Sequence, residues 1–138
     1  MDFKAKYVGI LSCSGEELAG GTISRIATRK VLDSMIPGDT TTICVPLFLA
    51  GAEKEQSFVK KFPCITVDGC DKKCAARSVR NLGKEPIEAV VVDSIFTAEE
   101  LREIEKNPLH DLFWKDHPYC QKLAEHIANI AAKELMSP

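Results

Sequence analysis

The sequence has no apolar run approaching the roughly 20 residues that a membrane-spanning helix needs. Its longest, Ile43 to Ala50, is short and interrupted by Pro46, so no membrane span is expected. Charge of one sign is equally scarce. The 18 Lys and Arg are set against 20 Asp and Glu, for a net charge of -2, with no basic or acidic block. Binding to a polyanion draws on clustered cations, which makes nucleic acid an unexpected partner and an anionic membrane surface another. Between Met1 and Tyr7, Lys4 and Lys6 are interleaved with other residues, and the apolar run that follows breaks at Ser12. A secretory signal needs a longer apolar core and a small-residue cleavage site, and neither is there. Repeats, linkers and low-complexity stretches are also missing. The chain is expected to form one α/β domain, residues 1–138, in the cytoplasm.

What is abundant for such a protein is cysteine: Cys13, Cys44, Cys64, Cys70, Cys74 and Cys120. A chain of 138 residues buries roughly two-thirds of its unfolded surface and needs neither disulfide nor metal to acquire a core. A cytosol keeps thiols reduced, so six cysteines there point to metal ligation, redox chemistry or core packing rather than to disulfide staples.

Local patterns place these thiols. Tyr7 to Leu11 is an apolar strand, Ser12 to Thr22 a polar, glycine-rich loop, and Ile23, Ile26, Ala27, Val31 and Met35 recur at helical spacing. Pro37-Gly38-Asp39 stops that helix, and the β-branched run Thr41 to Val45 predicts a second strand. Glu53 to Phe62 reads as a short amphipathic helix ended by Pro63, and Ile65 to Val67 as a third strand. After Asp68-Gly69 a helix is expected, with Cys70 and Cys74 in its opening turn, Ala75, Val79 and Leu82 on its apolar face and Gly83 as its stop. Glu88 to Asp93 contains Ala89-Val90-Val91-Val92, the unbroken apolar run of a strand covered on both faces. Thr97 and Glu100 form a capping-box pattern opening a helix that Asn107-Pro108 closes. An irregular aromatic region from Leu109 to Tyr119 precedes a last helix striped by Leu123, Ile127, Ile130, Ala131 and Leu135.

This alternation of strand and helix argues for an open, mainly parallel sheet of about four strands between helical layers, a Rossmann-like or flavodoxin-like three-layer sandwich with an extra C-terminal helix. Ligands of such sheets bind at the carboxyl ends of the strands, where strand order reverses. Four cysteines fall at those exits: Cys13, Cys44, Cys70 and Cys74. On a helix, the i, i+4 spacing of Cys70 and Cys74 would turn both sulfurs the same way. The helix N-terminus together with Lys72 and Lys73 would favour thiolates, and two further thiolates from neighbouring exits would complete a tetrahedral zinc site. Cys44, in the apolar Ile43-Cys44-Val45, is equally readable as a core residue.

Ser12-Cys13-Ser14-Gly15, Cys44-Val45-Pro46 followed by Leu49-Ala50-Gly51, and above all Val67-Asp68-Gly69-Cys70 with Lys73-Cys74-Ala75 resemble the DGC-domain family. The likeness runs from about Tyr7 to the Val90 strand. It implies a small prokaryotic domain that binds zinc, with Cys13, Cys44, Cys70 and Cys74 as the motif cysteines and metal ligands, and it carries no enzymatic activity with it. Cys64 and Cys120 are left over. Cys64 is expected at the opposite end of the sheet as a structural residue, and Cys120 at a helix start, with His117 three residues before it as the one candidate for an accessory metal pair.

Other chemistry is less well supported. Gly15 to Thr22 has the glycine spacing of a phosphate-binding loop, but Gly21 stands where its lysine belongs, and Glu16 and Glu17 would repel phosphate. Ala19 occupies the position where a phosphatase loop starting at Cys13 would need arginine. Asp68, Asp71 and Asp93 at the same rim are expected to cap turns or helices. His126 is expected to face solvent, as is the basic face of Lys72, Lys73, Arg77, Arg80 and Lys84. The rival function is a thiol redox, sulfur-transfer or metal-transfer protein using Cys70 with Cys74 or Cys13. An iron-sulfur cluster on the same four thiols is the inorganic alternative to zinc. Substrate, physiological partner and oligomeric state are not encoded in any motif.

Overall fold

In a computed structural model, which describes residues 7–13, 17–107 and 111–137, four strands form one parallel sheet. They are β1 (Val8–Ser12), β2 (Thr40–Thr41), β3 (Cys64–Asp68) and β4 (Glu88–Val91), in the order β2-β1-β3-β4. The helices are α1 (Ala19–Lys30), α2 (Val45–Leu49), α3 (Glu53–Lys61), α4 (Cys74–Asn81), α5 (Val92–Ile95), α6 (Ala98–Lys106), α7 (Asp111–Trp114) and α8 (Pro118–Met136), and a π-helical turn, Val31–Met35, extends α1. The expected α/β sandwich with its extra C-terminal helix is therefore the observed fold.

Alternation along the strands divides the apolar side chains between two layers. Val8 and Ile10 of β1 and Ile65 and Val67 of β3 pack with Ile23, Ala27, Leu123 and Ile127 of α1 and α8, where Trp114 is also fully buried. Leu11 and Cys64 belong to the opposite layer with Val45, Phe48, Val59 and Val79 of α2, α3 and α4. Gly9 sits on that second face because a Cβ there would lie 2.7 Å from the Phe58 ring.

Helix ends follow side-chain chemistry. Glu100 N–H donates to the Thr97 hydroxyl, and Thr97 N–H donates to the Glu100 carboxylate, the expected capping box. Gly83, with φ at +86°, ends α4; its N–H reaches Arg80 O, and Lys84 N–H reaches Val79 O, the paired bonds of a Schellman turn. That turn delivers Lys84 to α3, where its ammonium donates to the carbonyls of Val59, Lys60 and Phe62 at 2.6, 3.1 and 2.8 Å. Lys84 is thus a helix cap for α3 rather than part of a solvated basic face.

Three expectations about elements need correction. The second strand is only Thr40–Thr41, and Val45 opens a helix with Pro46 in its first turn. Proline is suited to that position, since the amide it lacks would have no partner there. The apolar run after Glu88 leaves the sheet at Val91, and Val92–Ile95 coils into α5. Part of the aromatic region is helical as α7. Expectations for Ser14, Gly15, Glu16, Pro108, Leu109 and His110 fall outside the described residues.

Candidate functional site

The sheet reverses its direction of growth at β1, which has β2 on one side and β3 on the other. The crevice of a doubly wound sheet opens there. Cys13 follows β1, and its N–H donates to Val67 O at 3.0 Å, extending the ladder by one residue. Across the crevice, the Asp68-Gly69-Cys70 triplet leaves β3, and each member has a distinct task.

Asp68 closes β3 with its side chain buried. Its two carboxylate oxygens accept from Ala75 N–H at 2.8 Å and Ala76 N–H at 3.2 Å. It therefore caps α4 from seven residues away, the role expected of an aspartate at a strand exit. Burial raises its pKa and those two amides lower it. Gly69 lies against the first turn of α1: a Cβ on it would sit 2.2 Å from Gly21 N and 2.5 Å from Gly20 C, and one on Gly20 would sit 2.4 Å from Gly69 O. Backbone meets backbone at this point, so both positions have to be glycine. Gly69 N–H also donates to Cys13 Sγ at 3.3 Å, which ties the exit of β3 to that of β1. Cys70 then carries a half-buried thiol into the turn.

The turn from Cys70 to Cys74 is not helical. Lys73 has φ +54°, in the left-handed region, and α4 begins at Cys74. The expected i, i+4 pair on one helix is corrected accordingly: Cys74 opens the helix, while Cys70 lies in the preceding turn. The cause is Asp68, which fastens the amides of Ala75 and Ala76 and so sets where α4 starts.

Burial pushes the Cys13 thiol up, the Gly69 N–H pulls it back, and the fields of Asp68, Cys70 and Cys74 push it up again. Cys13 follows β1, Cys70 lies in the turn after β3 and Cys74 opens α4, so these thiols come from neighbouring strand exits. Cys44 is exposed at the N-terminus of α2 and is not among the groups acting on Cys13. Among the described residues, no three His, Cys, Asp or Glu side chains converge as a metal site. In kind the donors suit zinc, being soft sulfur ligands on separate loops at a strand-exit crevice.

The remaining candidates lie elsewhere. Cys64 is buried at the start of β3, opposite Gly9, with its thiol pushed up by burial to about 11. Cys120 is buried in the first turn of α8, with its thiol pushed up by burial to about 12. His117 caps α8, its Nδ1 accepting from Tyr119 N–H at 3.1 Å. His126 is exposed, as are Asp71 and Asp93. Absent from the sequence reasoning is an open groove of about 740 Å³ beside Cys13, between α1 with its π-helical extension and the 42–46 segment. Its walls come from stretches distant in sequence, and only the order of the strands brings them together.

A family model described as the DGC domain matches residues 9–114. No curated protein and no solved structure matches the chain. With the Asp-Gly-Cys triplet at the centre of the crevice and three-quarters of the sequence matched, the chain belongs to the DGC-domain family.

Proposed function

We propose that this DGC domain binds one zinc ion at the β1/β3 crevice, with Cys13, Cys70 and Cys74 as ligands and Cys44 as the fourth. The observation carrying this reading is the Gly69 N–H donated to Cys13 Sγ at 3.3 Å, which ties the exit of β1 to the Asp68-Gly69-Cys70 turn after β3. Thiolates brought to one strand-exit crevice repel one another, and a divalent ion turns that repulsion into attraction. The Gly69 N–H on Cys13 Sγ is the kind of hydrogen bond that supports a thiolate ligand from outside the coordination sphere. Cys44 is itself exposed just ahead of α2, past the last paired residue of β2, Thr41. Zinc held by four thiolates staples loops together, and zinc held by three keeps a position open as a Lewis acid.

Zinc per chain, measured by native mass spectrometry on the protein and on Cys13→Ser, Cys44→Ser, Cys70→Ser and Cys74→Ser, tests the ligand set. One zinc is expected for the parent chain, with loss of retention in each variant. Full zinc occupancy in all four variants would refute the assignment. The same chain uses no nucleic-acid or membrane partner in this account, and none of its described helices is long and apolar enough to cross a membrane.

A redox or transfer role has one observation in its favour. Cys74 is exposed at the start of α4, four residues after the half-buried Cys70, so a thiol attacked from outside has a chain neighbour to resolve it. In that case the purified chain carries no metal, and mild oxidation yields an intramolecular disulfide between these two thiols. Retained zinc with no such disulfide rejects it. An iron-sulfur cluster on the same thiols would show as brown colour.

A further inference from the structure

The edge strand β2 ends before the ladder it forms with β1 is complete. In a parallel sheet, successive residues of a strand turn their N–H and C=O groups to opposite neighbours. Along β1 the N–H of Val8 donates to Asp39 O on the β2 side, whereas those of Gly9 and Cys13 donate to Pro63 O and Val67 O on the β3 side. Alternation therefore aims the carbonyl of Ile10 and the N–H of Ser12 at the β2 side. Pairing with β2 stops at Gly9 opposite Thr41, and among the described residues no backbone bond joins Ile10 O or Ser12 N–H to the 42–44 segment. Ser12 and Ile43 both line the open groove beside Cys13 instead.

The register shows what completes the ladder. Val8 lies opposite Thr40 and Gly9 opposite Thr41; continued residue by residue, Ile10 meets Thr42, Leu11 meets Ile43 and Ser12 meets Cys44. Ile43 is then the residue that faces β1, donating to Ile10 O and accepting from Ser12 N–H, while Thr42 turns its N–H to the open edge. The same continuation brings Cys44 within one strand spacing, about 4.8 Å, of Ser12, and so beside Cys13. Two sulfurs on one zinc, each about 2.3 Å from it, lie within about 4.6 Å of each other. Completing the ladder and sharing a metal thus require the same approach of the two segments. Cys44 already has extended backbone, with φ -74° and ψ 107°, and needs no refolding to join a strand.

We infer that zinc binding zips β2 forward along β1, from Thr41 to Cys44 in the existing register, and closes the groove beside Cys13. This rests on the zinc reading above and adds to it a conformational response. Because α2 begins at Val45, its exposed Leu47 and Leu49 travel with the strand, so the position of α2 reports whether the metal is bound.

Residue-resolved amide exchange by NMR on the full, reduced chain tests this, comparing metal-free protein with protein given one equivalent of zinc, its occupancy read by native mass spectrometry. The Ser12 and Ile43 amides are expected to slow about tenfold or more on zinc binding, because exchange then requires a hydrogen bond to open. The Thr42 amide, on the outer edge, should change little. In Cys44→Ser with the same zinc added, Ser12 and Ile43 should exchange as in the metal-free parent. Bound zinc with no slowing at Ser12 and Ile43, equal slowing at Thr42, slowing that persists in Cys44→Ser, or slow exchange before zinc is added would each overturn the inference while leaving zinc binding itself intact. A chain that takes up no zinc overturns both.

Discussion

Replacing Gly20 with alanine reverses the sign that helix propensity assigns to the change. In an open helix, alanine is favoured over glycine by about 1 kcal/mol. Here the new Cβ would stand 2.4 Å from Gly69 O, where ordinary contact begins at 3.4 Å, so two backbone segments must separate by about 1 Å. Overpacking of that kind costs about 1–3 kcal/mol, and rigid backbone on both sides argues for the upper end. The net expectation is a loss of about 2 kcal/mol, which moves a urea midpoint by about 1 M for a domain of this size. Gly69→Ala, with its Cβ 2.2 Å from Gly21 N, should lose at least as much. The separation also displaces the strand exit that carries Cys70, so zinc retention should fall with stability in both variants. Gly38→Ala is the control, since its φ of +86° makes it costly while nothing lies within 4 Å; it should destabilise by about 1–2 kcal/mol and leave zinc retention intact. A Gly20→Ala midpoint equal to or above the parent's would refute the claim that the two glycines are required by contact.

Three other outcomes follow from the same geometry. Asp68→Ala leaves the buried amides of Ala75 and Ala76 without their acceptors and should cost about 2–3 kcal/mol in urea unfolding, whereas Asp68→Asn, which keeps one acceptor, should lose about 1. Lys84→Met retains the aliphatic stem but frees three carbonyls at the end of α3, and a loss of about 1–2 kcal/mol is expected by thermal melting. Alkaline pH should destabilise the fold, because Cys64 and Cys120 hold their protons to about 11 and about 12 against an ordinary 9.0. Below pH 9 both thiols are protonated in either state and contribute no pH dependence. As pH rises past 9 the unfolded chain releases protons that the folded chain keeps, so stability falls, by about 3 kcal/mol from Cys64 alone at its limit. Urea midpoints that stay level between pH 8.5 and 10.5 would contradict the buried, protonated state of these thiols.

The sheet, the capping box at Thr97, the Gly83 stop and the C-terminal helix were readable because local rules and tertiary packing agree there. At Thr42 to Val45 they disagree: β-branched residues favour a strand, but Pro46 in the first turn of α2 starts a helix one residue earlier. Cys70 shows a different limit. Its spacing from Cys74 fits a helix, yet the start of α4 is set by the Asp68 carboxylate, a contact that spacing alone does not reveal. The glycines of Gly20 and Gly69 were visible as an unusual density of glycine near the thiols, but their mutual contact spans almost 50 residues of chain and needs the crossover from β1 to β3. The positions of Cys13 and the Asp68-Gly69-Cys70 triplet at the strand exits could be read from alternation alone. The groove beside Cys13 could not, since its walls come from segments far apart in the chain.

The most direct test of the central claim is X-ray absorption at the zinc edge on protein purified without added metal. The account predicts one zinc per chain with a first shell of sulfur at about 2.3 Å, reduced in sulfur count by Cys13→Ser. A chain that is folded and free of metal, or a zinc bound only by nitrogen and oxygen, would contradict it.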